Sequence, residues 1–219
     1  MAKIQVNGII VNYKETGKGK PVILLHGNGE DLHIFDKLSD KLKKHYTIYA
    51  IDSRNHGESS KTKDYSYETM SEDIFYFIKE LDLKDVSVIG FSDGAIISLL
   101  LELRHEGIFG KMVLLGANLK PTDFKKKEYN FLINTYKKTE DPLIKLMLEQ
   151  PNIQLKELEK INPPTLVIAG QDDIFYRKTF TDITSAIPSA SLKIMKGHDH
   201  ASYIVGTDIL YPDLIKFLQ

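Results

Sequence analysis

Gly90-Phe91-Ser92-Asp93-Gly94 is set between the apolar run Val86-Ser87-Val88-Ile89 and the helix-like run Ala95-Ile96-Ile97-Ser98-Leu99-Leu100-Leu101. Strand, sharp turn with a serine at its tip, then buried helix is the layout of a nucleophile elbow. A serine at such a tip is forced into strained backbone that exposes its Oγ. The flanking glycines let neighbouring backbone approach where any Cβ would clash. The helix that follows aims its free N–H groups and the positive end of its dipole at the place where negative charge would develop.

The rest of the chain repeats the rhythm that such an elbow requires. Lys3–Val6 and Ile9–Tyr13 flank Asn7-Gly8, the signal for a two-residue hairpin. Val22-Ile23-Leu24-Leu25 is a continuous apolar run of the kind buried on both faces of a sheet. It ends in His26-Gly27-Asn28-Gly29 and is followed by a helix-like stretch over 34–42. The spacing predicts further strands over 46–51, 112–115, 165–170 and 191–195, and helices over about 67–81, 176–186 and 209–218. Strands alternating with helices imply a mostly parallel sheet of roughly eight strands covered on both faces, with the opening hairpin as an antiparallel edge. Ligands of such sheets bind at the carboxyl ends of the strands. The loops after Leu25, Ile51, Ile89, Leu115, Ala169 and Met195 all lie at such ends, so they should converge on one site.

Serine is a poor nucleophile unaided and needs a base within hydrogen-bond reach, itself oriented by a third group. Two late strand ends offer the residue types. Gly170-Gln171-Asp172-Asp173 supplies an acid, and Gly197-His198-Asp199-His200 supplies a histidine. The second cluster could suggest a metal site, but no other acidic or histidine pair has matching ligand spacing.

These motifs resemble the α/β-hydrolase fold family over nearly the whole chain. They are the His26-Gly27 loop, the Asp52-Ser53-Arg54 turn, the elbow, the Gly170–Asp173 acid loop and a late histidine, in the chain order Ser, Asp, His. The resemblance implies Ser92 as nucleophile and Asp173, fourth in its run, as the orienting acid, with Asp172 as the rival. It implies the backbone N–H groups of Asn28 and Asp93 as the oxyanion hole. For the base, the common Gly-His pairing points to His198. The run His200-Ala201-Ser202-Tyr203-Ile204 and the distance to the closing helix point to His200, which is favoured. Asn55 stands where the family often has glycine, and Asn tolerates left-handed backbone.

Residues 120–162 break the rhythm: they are rich in lysine and glutamate, with helical spacing and no strand. The expected organisation is therefore a core over 1–119 and 163–219 with a short helical lid over 120–162. Its apolar residues, among them Phe124, Phe131, Leu132 and Met147, are read chiefly as helix packing, some of them roofing the site, with Phe175-Tyr176 as a second wall. His33, His45 and His105 read as surface residues, His26 as structural, and His56 as structural or, alternatively, a proton-transfer group, with structure favoured. The Asp93 carboxylate reads as a helix-dipole partner or, alternatively, as a bias toward cationic groups.

The net charge of −1 over 219 residues gives no reason to expect nucleic acid or an anionic membrane as partner, and there is no cysteine for thiolate chemistry. The opening residues lack the apolar stretch of a signal peptide, so a cytoplasmic protein is expected. The function expected is hydrolysis of a small ester or related acyl bond, with no cofactor or metal. Carbon–carbon bond hydrolysis, a lyase reaction or slow-turnover ligand reception by the same triad are the alternatives.

Overall fold

A computed structural model describes all 219 residues. The strands are β1 (Ala2–Val6), β2 (Ile9–Gly17), β3 (Lys20–Leu25), β4 (Tyr46–Ile51), β5 (Ser87–Phe91), β6 (Lys111–Leu115), β7 (Thr165–Gly170) and β8 (Ala190–Met195). They form one sheet in the order β1-β2-β4-β3-β5-β6-β7-β8. From β4 onward in that order every pairing is parallel, while β1–β2 and β2–β4 are antiparallel. The hairpin thus supplies the antiparallel edge, with Asn7 and Gly8 both at positive φ, as the two-residue turn requires.

The apolar runs explain which strands sit centrally. Val22 to Leu25 and Met112 to Leu115 are buried at every position, because helices cover both faces and no alternation is needed. β8, at the far edge, is only half-buried. β2 runs farther than the predicted strand over 9–13, since residues through Gly17 pair with β4 from Ile51 to Thr47. That pairing makes β2 the bridge between hairpin and parallel sheet, and the partner strand, rather than local sequence, sets its length.

The helices are α1 (Asp36–Leu42), α2 (Tyr67–Glu80), α3 (Asp93–Arg104), α4 (Lys126–Thr139), α5 (Pro142–Glu149), α6 (Leu155–Leu158), α7 (Arg177–Ala186) and α8 (Tyr211–Leu218). α1 and α8 pack with the apolar side chains of one sheet face. α2, α3, α7 and apolar residues of 120–162 cover the other. α2 is capped by Ser66, whose Oγ accepts from Thr69 N–H. Arg54 pins the turn after β4 onto α2 through two hydrogen bonds to Asp73, both 2.6 Å and both buried. No helix is long and apolar enough to cross a membrane.

Candidate active site

The turn between β5 and α3 has the strain its sequence implies. Ser92 sits at φ +51°, ψ −111°, a backbone state costly for a residue with a Cβ. Its N–H donates to Leu115 O at 2.8 Å, and Gly94 N–H donates to His26 O at 3.1 Å. The two elbow glycines are required by proximity: a Cβ on Gly90 would lie 2.3 Å from Gly94 O, and one on Gly94 would lie 2.1 Å from Leu25 O. The chain can turn this tightly only without those side chains.

His200 reaches over the end of β6 to this serine. Its Nε2 lies 3.1 Å from Ser92 Oγ, and its Nδ1 lies 2.9 Å from Asp173 Oδ1. An ionised carboxylate can only accept, so Nδ1 carries the proton and Nε2 is free to accept from the serine hydroxyl. Asp173 is held by backbone N–H groups of Gly170 and Phe175, and its side chain is buried. The imidazole is walled by Phe91 and Phe175, whose ring centroids lie 5.0 and 5.3 Å away. Gly116, after β6, leaves room for it: a Cβ there would lie 2.6 Å from His200 Cε1.

His198 and Asp172 take other places. His198 Nδ1 meets Ser202 Oγ at 3.1 Å, and its carbonyl accepts from the N–H of Asp172, whose side chain is exposed. His33 and His45 are at the surface. His105 departs from that expectation: it is half-buried, stacked on Phe75 at 3.7 Å and bonded to Glu72, because α2 and α3 pack side by side. His26 is buried and donates from Nδ1 to Gly27 O, while its Nε2 accepts from Ser53 N–H. Burial and the neighbouring His56 depress its pKa to about 4, so at neutral pH it is an uncharged strut joining the loop after β3 to the turn after β4.

The N–H groups of Asn28 and Asp93 donate to no acceptor within the chain, whereas the neighbouring N–H groups of Gly27, Ser92 and Gly94 are all paired. The Asp93 carboxylate stands in the first turn of α3, where a helix-dipole partner is expected, and it has side-chain partners the sequence did not indicate. It is buried, with Oδ1 accepting from Tyr67 Oη at 2.7 Å and Oδ2 accepting from Asn28 Nδ2 at 2.9 Å. Burial raises its pKa, against the two hydrogen bonds that favour the charged form.

Ser92 and His200 open into a cavity of about 280 Å³. Its apolar wall is formed by Phe91, Phe124, Phe131, Leu132, Met147 and Ile174, so α4 and α5 both contribute. Two carboxyl groups, Glu30 and Glu128, line it as well, and no lysine or arginine does. Glu30 accepts from Gly27 N–H, and burial raises its pKa. Sequence reasoning missed Glu30, Glu128, Tyr67 and Gly116. Glu30 could have been flagged by its place two residues after Asn28, and Gly116 by its place just past the end of β6; Glu128 and Tyr67 gave no local signal.

The alpha/beta hydrolase fold family profile matches residues 20–141, more than half of the chain. A human protein, serine hydrolase BPHL, is 28% identical over an alignment covering all of this chain and 86% of that protein. Among solved structures, an esterase from Exiguobacterium antarcticum superposes with a TM-score of 0.86 at 22% identity, covering 99% of this chain and 98% of its own. A meta-cleavage product hydrolase from Pseudomonas fluorescens IP01 gives 0.82 at 18% identity, covering 100% and 97%.

Proposed function

The chain belongs to the α/β-hydrolase fold family, and from that premise we propose that it is a serine hydrolase cleaving a small carboxylic ester or related acyl bond. The observation that carries this reading is the hydrogen-bond chain from Ser92 Oγ through His200 to Asp173 at the floor of an accessible cavity. The likeness to proteins named as serine hydrolase and esterase supports it.

In this mechanism His200 Nε2 takes the Ser92 proton as Oγ attacks the substrate carbonyl. Asp173 holds the imidazole in the productive tautomer and stabilises its charged form. The tetrahedral oxyanion is received by the N–H groups of Asn28 and Asp93, which have no other acceptor. His200 then gives its proton to the leaving oxygen, an acyl-enzyme remains on Ser92, and water activated by the same histidine releases the acid. No step calls on a metal or cofactor.

Residues 120–162 act as the lid over this site, since α4 and α5 provide Leu132 and Met147 to the cavity wall. The cavity size suits a small acyl chain. Its apolar wall and its two carboxyl groups favour an uncharged acyl part over one ending in a carboxylate, which would meet like charge in a poorly solvated space.

The test is intact-mass labelling with a fluorophosphonate on the wild type and on Ser92→Ala, His198→Ala and His200→Ala. One adduct on the wild type is expected, none on Ser92→Ala, sharply slowed labelling of His200→Ala and near-normal labelling of His198→Ala. A folded wild type that takes no label would overturn the reading, and loss of labelling in His198→Ala alone would move the base to that residue.

A further inference from the structure

The two residues whose N–H groups are assigned to the oxyanion lie 65 positions apart, one in the loop after β3 and one at the start of α3, yet their side chains grip each other. Asn28 Nδ2 donates to Asp93 Oδ2 at 2.9 Å and also to Leu143 O, in the first turn of α5, at 3.2 Å. Both amide hydrogens are therefore used, one on the elbow and one on the lid. Asp93 is held from below by Tyr67 Oη at 2.7 Å, and Tyr67 is itself buried at the start of α2. Tyr67 N–H meets Gln150 Oε1, just past the end of α5, at 3.2 Å, a second tie between these elements.

We infer that Asp93 is a positioning residue whose carboxylate clasps the oxyanion loop to the elbow and, through the Asn28 amide, makes that loop and helix α5 move as one body. The catalytic half of this inference rests on the hydrolase reading above; the mechanical half does not. An oxyanion hole works only if its donors are fixed where charge develops, and a loop ending in Asn28-Gly29 has little rigidity of its own. The clasp supplies that rigidity. Asp93 is chemically suited to it because a carboxylate can accept from two donors at once, whereas an asparagine there has one acceptor oxygen: if it accepts from Asn28, Tyr67 must turn its hydroxyl round to accept, and the buried hydroxyl proton loses its partner. Because the same Asn28 nitrogen bonds Leu143 O, displacement of α5 pulls on the loop that carries the Asn28 N–H. An open lid would thereby loosen the oxyanion site, and a closed lid would set it.

The test compares wild type, Asp93→Asn, Tyr67→Phe and Asn28→Ala by p-nitrophenyl butyrate turnover, by inhibition with butylboronic acid, which forms a tetrahedral adduct on serine, and by hydrogen–deuterium exchange. For Asp93→Asn, kcat is expected to fall about tenfold or more with KM within about twofold, and the boronate inhibition constant to rise in step. Tyr67→Phe, which keeps the carboxylate and removes one donor, should shift both in the same direction by less, and it serves if Asp93→Asn does not fold. Asn28→Ala should speed exchange in 26–30 and 142–149 together. Loss of thermal stability in Asp93→Asn and Tyr67→Phe with kcat and boronate affinity intact would overturn the positioning role. Faster exchange in only one of the two segments of Asn28→Ala would overturn the coupling. If the wild type neither labels nor turns over, the hydrolase reading fails, and the exchange comparison still decides whether the clasp exists.

Discussion

Helices α2 and α4 are each 14 residues long and both amphipathic, yet α2 buries seven of its residues and α4 buries one. The apolar face of α2 lies on the sheet: Phe77 is fully buried, with its ring edge-on to Tyr13 at 5.0 Å and near Tyr49. The face of α4 looks instead into the cavity above Ser92, where Leu132 and Phe131 form wall and Phe131 stays 64% exposed. Equal patterning thus serves two ends. One apolar face is satisfied by the fold, and the other only in part: Leu132 joins the core while Phe131 is left on the cavity wall.

This contrast can be broken at several points. The largest effect is expected at the serine the packed frame holds: Ser92→Ala should lower ester turnover by at least about 1,000-fold while leaving the melting temperature at or above that of the wild type. A large loss of stability instead would mean that the hydroxyl serves the frame. Next comes the frame itself. Phe77→Ala should cost about 3–5 kcal/mol in urea unfolding, with kcat per folded molecule unchanged.

The frame should also be acid-sensitive through His26. Its folded pKa, about 4, lies below the unfolded value. Between the two the unfolded chain binds the extra proton, so stability is full above about pH 6.5 and falls as pH drops toward 4. The loss amounts to roughly 3 kcal/mol. Urea unfolding across that range should show it, and a His26→Gln variant should give a shallower slope. An equal slope in both proteins would assign the acid sensitivity elsewhere. The smallest effect is expected on α4. Phe131→Ala should change stability by no more than about 0.5 kcal/mol and raise KM for a butyrate ester by about threefold to tenfold. If Phe131→Ala destabilised the protein as Phe77→Ala does, the distinction between the two helices would collapse.

The sheet was legible because burial on both faces forces apolar runs such as Val22–Leu25, and because Asn7-Gly8 and the elbow fix local geometry by residue type alone. The meeting of Ser92, Asp173 and His200 followed from strand ends that must share one edge. What stayed hidden depends on atoms brought together from afar. His200 could be favoured over His198 from the run that follows it, but the room that Gly116 leaves for its ring, more than 80 positions away, could not be read. The grip of Tyr67 and Asn28 on Asp93 joins three elements, and nothing within any one of them announces it. The alternative uses of α2 and α4 were equally closed to periodicity, which reports that a face is apolar and not what will cover it.

β6 enters this arrangement with a single glycine. It lies between β5, which leads into Ser92, and β7, which leads into Asp173, and its own end carries Gly116 beneath the imidazole. Neighbouring strands are about 4.8 Å apart, so the residues that follow β5 and β7 start out roughly 10 Å from each other. That is a span one imidazole can bridge with a hydrogen bond at either end. The gauge of the site is therefore inherited from the spacing of backbone ladders, a length that side-chain replacement cannot alter. Loops above the sheet can lengthen, shrink or change composition, and the ruler beneath them keeps the same divisions.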